Sequence, residues 1–247
     1  DLMSRKTPRL FVDQPAFAGR HLSFTREHAH YLLDVMRLKS GDKVLVFNGR
    51  DGEWHVELTE TGRRKALGKF IQQTRPQPAF TGPDLCFAPV KKTGTYFIVE
   101  KATELGVRSL RPITTEFTDR TQVKVDRLRA NAIEAAEQCG RIDVPDVHEL
   151  LSLRSIVDNW PASQTMLVAD ETGNGDAPLS VILTMDSSGL PPTFVIGPQG
   201  GFSETELVFL RALPFVTTID LGPRILRAET AAVAVLSCWQ AARGDWI

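Results

Sequence analysis

The chain has 247 residues, 42% of them hydrophobic, 24% charged and 8% aromatic, with a formal net charge of -1. That mix supplies apolar mass for a sizeable core and excludes a disordered or collagen-like chain. No run approaches a bilayer-spanning length of uncharged apolar residues, and Asp1-Leu2-Met3-Ser4-Arg5-Lys6 lacks the apolar segment of a signal peptide, so a cytoplasmic protein is expected.

In chain order, Arg9-Leu10-Phe11-Val12 reads as a short strand and His28 to Leu38 as a helix. Lys43 to Phe47, the turn-rich Asn48-Gly49-Arg50-Asp51-Gly52, and Glu53 to Leu58 read as two strands around a loop, with Lys69 to Ile71 as another strand. This predicts a small β-barrel or sandwich over residues 1–73. Three prolines and a glycine between Thr74 and Pro83 mark a linker at 74–83. Beyond it, over 84–247, strands alternate with helices, the pattern of a parallel sheet in an α/β domain. The strands are expected at Leu85 to Ala88, Ser109 to Ile113, Met166 to Ala169, Thr193 to Ile196 and Thr217 to Leu221. Helices are expected through Phe97 to Leu105, through Leu128 to Cys139 before Gly140, and through Ala232 to Trp239.

Charge is distributed unevenly. Up to Arg75 there are 14 basic against 9 acidic residues, and beyond it 15 against 21. A basic module joined to an acidic one suits contact with a polyanion, although a merely solvated basic face would look the same. Cys86, Cys139 and Cys238 form no Cys-x-x-Cys pair and are expected as three buried thiols. His28 and His30 have no Cys or carboxylate cluster beside them, so no metal site is expected.

The last three strands each run into a loop of small or polar residues: Ala169-Asp170-Glu171-Thr172-Gly173, Gly197-Pro198-Gln199-Gly200-Gly201, and Gly222-Pro223-Arg224-Ile225-Leu226-Arg227. Parallel α/β sheets bind ligands beyond the carboxyl ends of their strands. The glycine loop is neither a Rossmann fingerprint nor a P-loop, and it lacks the Gly-x-Ser-x-Gly elbow. Ser203 with Glu206 reads instead as a capping box that starts a helix.

Ile196 to Ser203, followed about twenty residues later by Leu221-Gly222-Pro223-Arg224-Ile225-Leu226-Arg227-Ala228-Glu229-Thr230-Ala231, resembles the signature loops of the ribosomal RNA small subunit methyltransferase E family. Lys101-Ala102-Thr103-Glu104-Leu105-Gly106-Val107, Glu134 to Arg141 and His30 to Leu38 extend the resemblance over the whole chain. Ala228 departs from the pattern, standing where a hydroxylated residue is more usual.

The resemblance implies a SPOUT-type trefoil-knotted α/β methyltransferase domain preceded by a small PUA-like β-barrel. It implies an S-adenosylmethionine-dependent homodimer that methylates N3 of uridine 1498 in 16S ribosomal RNA, on free RNA or the assembled small subunit. Ala169, Gly197, Pro198, Gly200, Gly201, Leu221, Gly222, Ile225, Leu226 and Ala231 are then expected to hold the cofactor. Arg227 is nominated to stabilise a uracil anion or place a phosphate, Glu229 to organise the site rather than act as base, and Arg141 to reach RNA or the active site. Arg9, Arg20, Arg26, Arg37, Arg63, Arg64 and Lys65 form the expected RNA-contact pool. Another RNA target, or a non-catalytic assembly protein on the same fold, are the competing readings.

Overall fold

The computed structural model describes residues 7–63, 65–119, 122–186 and 188–247. Internal contacts divide it into two units: residues up to Ala79 together with Ala136–Val144, and Phe80–Ala135 together with Pro145–Ile247.

The first unit carries β1 (Arg9–Phe11), β2 (His21–Ser23), α1 (Arg26–His30), β3 (Lys43–Phe47), β4 (Glu53–Gly62) and β5 (Lys65–Arg75). They form one sheet in the order β1-β3-β4-β5-β2, with β1 parallel to β3 and the other pairs antiparallel. The turn between β3 and β4 closes on Asn48, whose Oδ1 accepts from the backbone N–H groups of Arg50 (2.9 Å) and Asp51 (2.8 Å). Leu22, Leu32, Val44, Val56, Leu58 and Phe70 are fully buried and make the core. The helix expected from His28 starts at Arg26, capped by Thr25 Oγ1, and widens into a π-helical turn over Tyr31–Val35. β5 continues through Arg75, into the segment expected as linker, because Arg75 pairs in register with Glu53 and donates to its carboxylate.

The second unit carries β6 (Asp84–Phe87), α2 (Lys92–Glu104), β7 (Ser109–Thr114), most of α3 (Val125–Cys139), β8 (Asp146–Val147), β9 (Leu151–Ser152) and α4 (Leu153–Asp158). It continues with β10 (Met166–Ala169), α5 (Pro178–Thr184), β11 (Thr193–Ile196), α6 (Glu204–Arg211), β12 (Val216–Ile219) and α7 (Ala228–Arg243). The strands are all parallel, in the order β12-β10-β11-β6-β7-β8 with β9 beside β7, so this unit is α/β as expected. β6 and β11 are buried along their whole length, which suits continuous apolar runs covered on both faces. β12 stops at Ile219, leaving Leu221 in the loop.

The cysteine expectation holds for one residue of three. Cys86 is buried, and burial pushes its thiol pKa up to about 12, whereas Cys238 is half-buried and Cys139, on the last turn of α3, is exposed. Among the described residues no helix is long and apolar enough to cross a membrane, and no group of three or more His, Cys, Asp or Glu could hold a metal ion.

Candidate active site

β12, β10 and β11 are adjacent and parallel, so the loops that follow them leave the same end of the sheet. Those three loops, with the first turn of α7, enclose a cavity of about 260 Å³.

The loop after β10 contributes Ala169 and then turns on Asp170, which is 2% exposed. Its Oδ1 accepts from the N–H (2.9 Å) and hydroxyl (2.6 Å) of Thr172, and its Oδ2 pairs with Arg211 of α6. Burial alone would raise the Asp170 pKa, but the Thr172 bonds and the Arg211 guanidinium override it and hold the carboxyl below its ordinary value. With that turn locked, Glu171 lies against Gly201.

The loop after β11 contributes Gly197, Pro198, Gly201 and Phe202. Gly201 has φ of 72° and its N–H donates to Pro198 O at 2.9 Å. A Cβ there would collide with the Glu171 carboxylate, so both the backbone conformation and the space require glycine. Ser203 and Glu206 form the expected capping box, with bonds of 3.2 and 3.0 Å. Gly200 does not line the cavity. It rests against Phe117 instead.

The loop after β12 contributes Leu221, Gly222, Ile225 and Leu226, and α7 adds Ala228 and Ala231. Asp220 Oδ1 accepts from Gly222 N–H at 2.9 Å and shapes the turn. Ile225 is 79% exposed, an apolar wall with one face uncovered. Nine of the ten residues expected around a cofactor therefore meet at one cavity, all but Gly200.

The proposed chemical groups divide. Arg227 is the N-cap residue of α7, exposed, and makes no side-chain hydrogen bond or ion pair among the described residues. It adjoins the lining residues Leu226 and Ala228 without itself lining the cavity. Glu229 also lies outside the lining. Its carboxylate sits over Gly94 in the first turn of α2, where a Cβ would strike it. Placed at the first turns of both α2 and α7, Glu229 joins two helix N-termini, a position that suits its negative charge. Arg141 belongs to the first unit, with a side chain 9% exposed and bonded to Asp143 at 3.0 and 2.9 Å.

The expected RNA-contact pool also splits. Arg9 is only 11% exposed: it donates to Glu53 at 2.8 Å, to the carbonyls of Ala136 (3.1 Å), Glu137 (3.0 Å) and Arg141 (3.0 Å), and lies over the Phe47 ring. It caps the last turn of α3 and is a structural cation, which corrects the expectation of an RNA contact. Arg20 is half-buried over Phe17, and Lys65 pairs at the surface with Glu60 at 3.1 Å. Arg26, Arg37 and Arg63 are exposed, Arg37 with a left-handed backbone φ of 57°. Arg64 lies outside the described residues.

The acidic residues Asp170 and Glu171 escape sequence reasoning as members of the site. A carboxylate pair at a strand's carboxyl end is the signal that could have found them. Arg211 carries no such signal, because it reaches Asp170 only through the fold, 41 residues away in sequence.

A family model described as an RNA methyltransferase domain matches residues 81–240, and one described as an RNA methyltransferase PUA domain matches residues 24–71. The chain is 29% identical to the ribosomal RNA small subunit methyltransferase E of Rickettsia conorii, covering 94% of each chain. It is 30% identical to that of Bacillus subtilis, covering 87% of this chain and 88% of the relative. Its fold superposes with a TM-score of 0.85 on a ribosomal RNA small subunit methyltransferase E from Neisseria gonorrhoeae bound to S-adenosyl methionine, at 23% identity over 95% of this chain and 97% of that one. With both family models in order along the chain and relatives matched over nearly their full length, the chain belongs to the ribosomal RNA small subunit methyltransferase E family and is an RNA methyltransferase.

Proposed function

We propose that this protein transfers a methyl group from S-adenosylmethionine to N3 of uridine 1498 in 16S ribosomal RNA. It acts as a cytoplasmic homodimer of the SPOUT class, with a trefoil knot around the three loops and a PUA-like barrel that holds RNA. The observation that carries it is the convergence of Gly197, Gly201, Leu221, Leu226 and Ala231 on one cavity.

The lining suits this cofactor. Leu221, Ile225 and Leu226 give an apolar wall for a ring, and the Gly201 backbone lies where any side chain would intrude. Glu171 and Asp220 present carboxylates that match an ammonium, a sulfonium or ribose hydroxyls. When bound, the cofactor supplies a methyl on a cationic sulfur, already activated for transfer.

What the chain must supply is the nucleophile. N3 of uracil carries a proton, and its loss leaves an anion spread over the flanking carbonyl oxygens. Arg227, unpaired beside the cavity, can donate to such an oxygen or hold the neighbouring phosphate. Glu229, set at the two helix N-termini, fixes α7 against α2 and so keeps Arg227 at the cavity edge. Exposed Arg26, Arg37 and Arg63 supply phosphate contacts.

The test is methyl transfer from labelled S-adenosylmethionine to small ribosomal subunits from a strain lacking the protein, with the nucleoside identified by mass spectrometry. The expected product is 3-methyluridine at position 1498. Binding of cofactor with no methylated product on subunits or free RNA would refute the substrate. Failure to bind the cofactor would refute the transfer reaction.

A further inference from the structure

Pro198 lines a second, smaller cavity of about 190 Å³ as well as the first. Its other walls are Val90 and Lys91 ahead of α2, Phe117 and Asp119 after β7, and Gln199 and Gly200. It is the smaller of the two cavities that share Pro198, and its size suits a single ring.

Phe117 is 48% exposed, yet its backbone is tied down. Thr118 Oγ1 accepts from Thr115 N–H at 2.8 Å and closes the turn, and Glu116 N–H donates to Glu206 Oε1 at 2.9 Å. The other oxygen of Glu206 accepts from Ser203 N–H at 3.0 Å, so one carboxylate joins the Phe117 turn to the helix that follows the glycine loop. Beside the wall of a cofactor cavity, on a backbone fixed in this way, the half-exposed phenyl ring has no aromatic partner among the described residues. Gly200 keeps the ring's flank open: a Cβ there would already touch Phe117 Cβ at 3.5 Å, and a branched side chain would fill the space.

The chemistry around the ring is specific. The exposed Lys91 ammonium can pair with a phosphate or a uracil anion, and the exposed Gln199 amide can both donate to and accept from an imide edge. The Asp119 carboxylate can accept from an imide N–H. A π-face, a cation and an amide together are the complement of an unstacked pyrimidine nucleotide. We infer that the second cavity receives the target uracil, displaced from its stack, with Phe117 as its stacking platform and with N3 reaching past the shared Pro198 edge to meet the methyl donor directly. This deepens the function proposed above and rests on it.

The experiment compares wild-type protein with F117A, F117Y and G200V. It measures kcat/KM for methylation of unmodified small subunits, and separately the Kd for S-adenosylmethionine by calorimetry. Loss of base stacking predicts that F117A lowers kcat/KM about 10- to 100-fold with cofactor Kd changed less than about twofold. F117Y keeps a π-face and is expected to return activity to within about threefold of wild type, while G200V, which fills the cavity, behaves as F117A does. F117A with wild-type kcat/KM would overturn the platform, as would a parallel loss of cofactor binding or an F117Y no better than F117A. A wild-type protein that binds cofactor but methylates no subunit would instead overturn the function reading, and the platform with it.

Discussion

The two units use arginine and glycine in opposite ways. In the second, the cavity is drawn by backbone: glycines, two prolines and tight turns place three loops together, and Asp170 and Asp220 are held by short local bonds. In the first, the conspicuous residues are cations, and they have divided their labour. Arg9, Arg75 and Arg141 are spent on Glu53, Asp143 and the carbonyls at the end of α3, whereas Arg26, Arg37 and Arg63 face solvent. A loop motif thus reports its function through its spacing, while a basic residue reports nothing until its partner is known.

The largest effect is expected from Arg9→Ala. It strips Glu53 of one of its two guanidinium partners and uncaps the last turn of α3, so stability should fall by about 3 to 5 kcal/mol, read by denaturant unfolding. Cofactor affinity at a temperature where the variant stays folded should be unchanged. A variant as stable as wild type, but weaker on RNA, would return Arg9 to the RNA-contact pool.

Next in size is Gly201→Val. The left-handed backbone and the collision with Glu171 together predict a loss of S-adenosylmethionine affinity of about 100-fold with subunit binding preserved, measured by calorimetry and filter binding. Gly222→Ala, with a φ of 96° and open space around its Cβ, should cost less than Gly201→Val.

A smaller effect is expected from the triple variant of Arg26, Arg37 and Arg63 to alanine. For every phosphate that no longer meets a guanidinium, the slope of log K against log salt should flatten by about 0.7 to 0.9, with cofactor Kd unaltered. An unchanged slope would make these exposed cations ordinary solvated charges.

The smallest effect is a pH dependence at Asp170. Its folded-state pKa lies below the ordinary 3.8, so its pairing with Arg211 and Thr172 contributes stability that is fully present above that value and is lost as pH falls through the folded pKa. Cofactor affinity should therefore stay level from neutral pH down to about 4 as far as this group is concerned, and fall in more acid solution. In Asp170→Asn the acid limb should disappear.

The α/β alternation, the strands β6, β7, β10 and β11 and the Ser203 cap were legible because each depends on neighbours within a few positions, whereas the nine residues that meet at the cavity came from the resemblance of their loops to a family. The short elements on either side of β10 were not legible: β8 and β9 are two residues each and α4 and α5 six and seven, too short for a period to show. Which cavity each of two adjacent glycines lines was not legible either: Gly201 lines the first and Gly200 the second, beside Phe117.

By itself the sequence determined where strands end in glycine-bearing loops and which family those loops resemble, since both are written in contiguous residues. The tertiary structure alone decided which charges are free. Whether Arg9 meets a phosphate or Glu53, Asp170 a solvent molecule or Arg211, and Glu229 a substrate or the first turn of α2 depends on groups dozens of residues away. A charge in a folded protein takes the strongest desolvated partner the packing offers, and packing is a property of the whole chain.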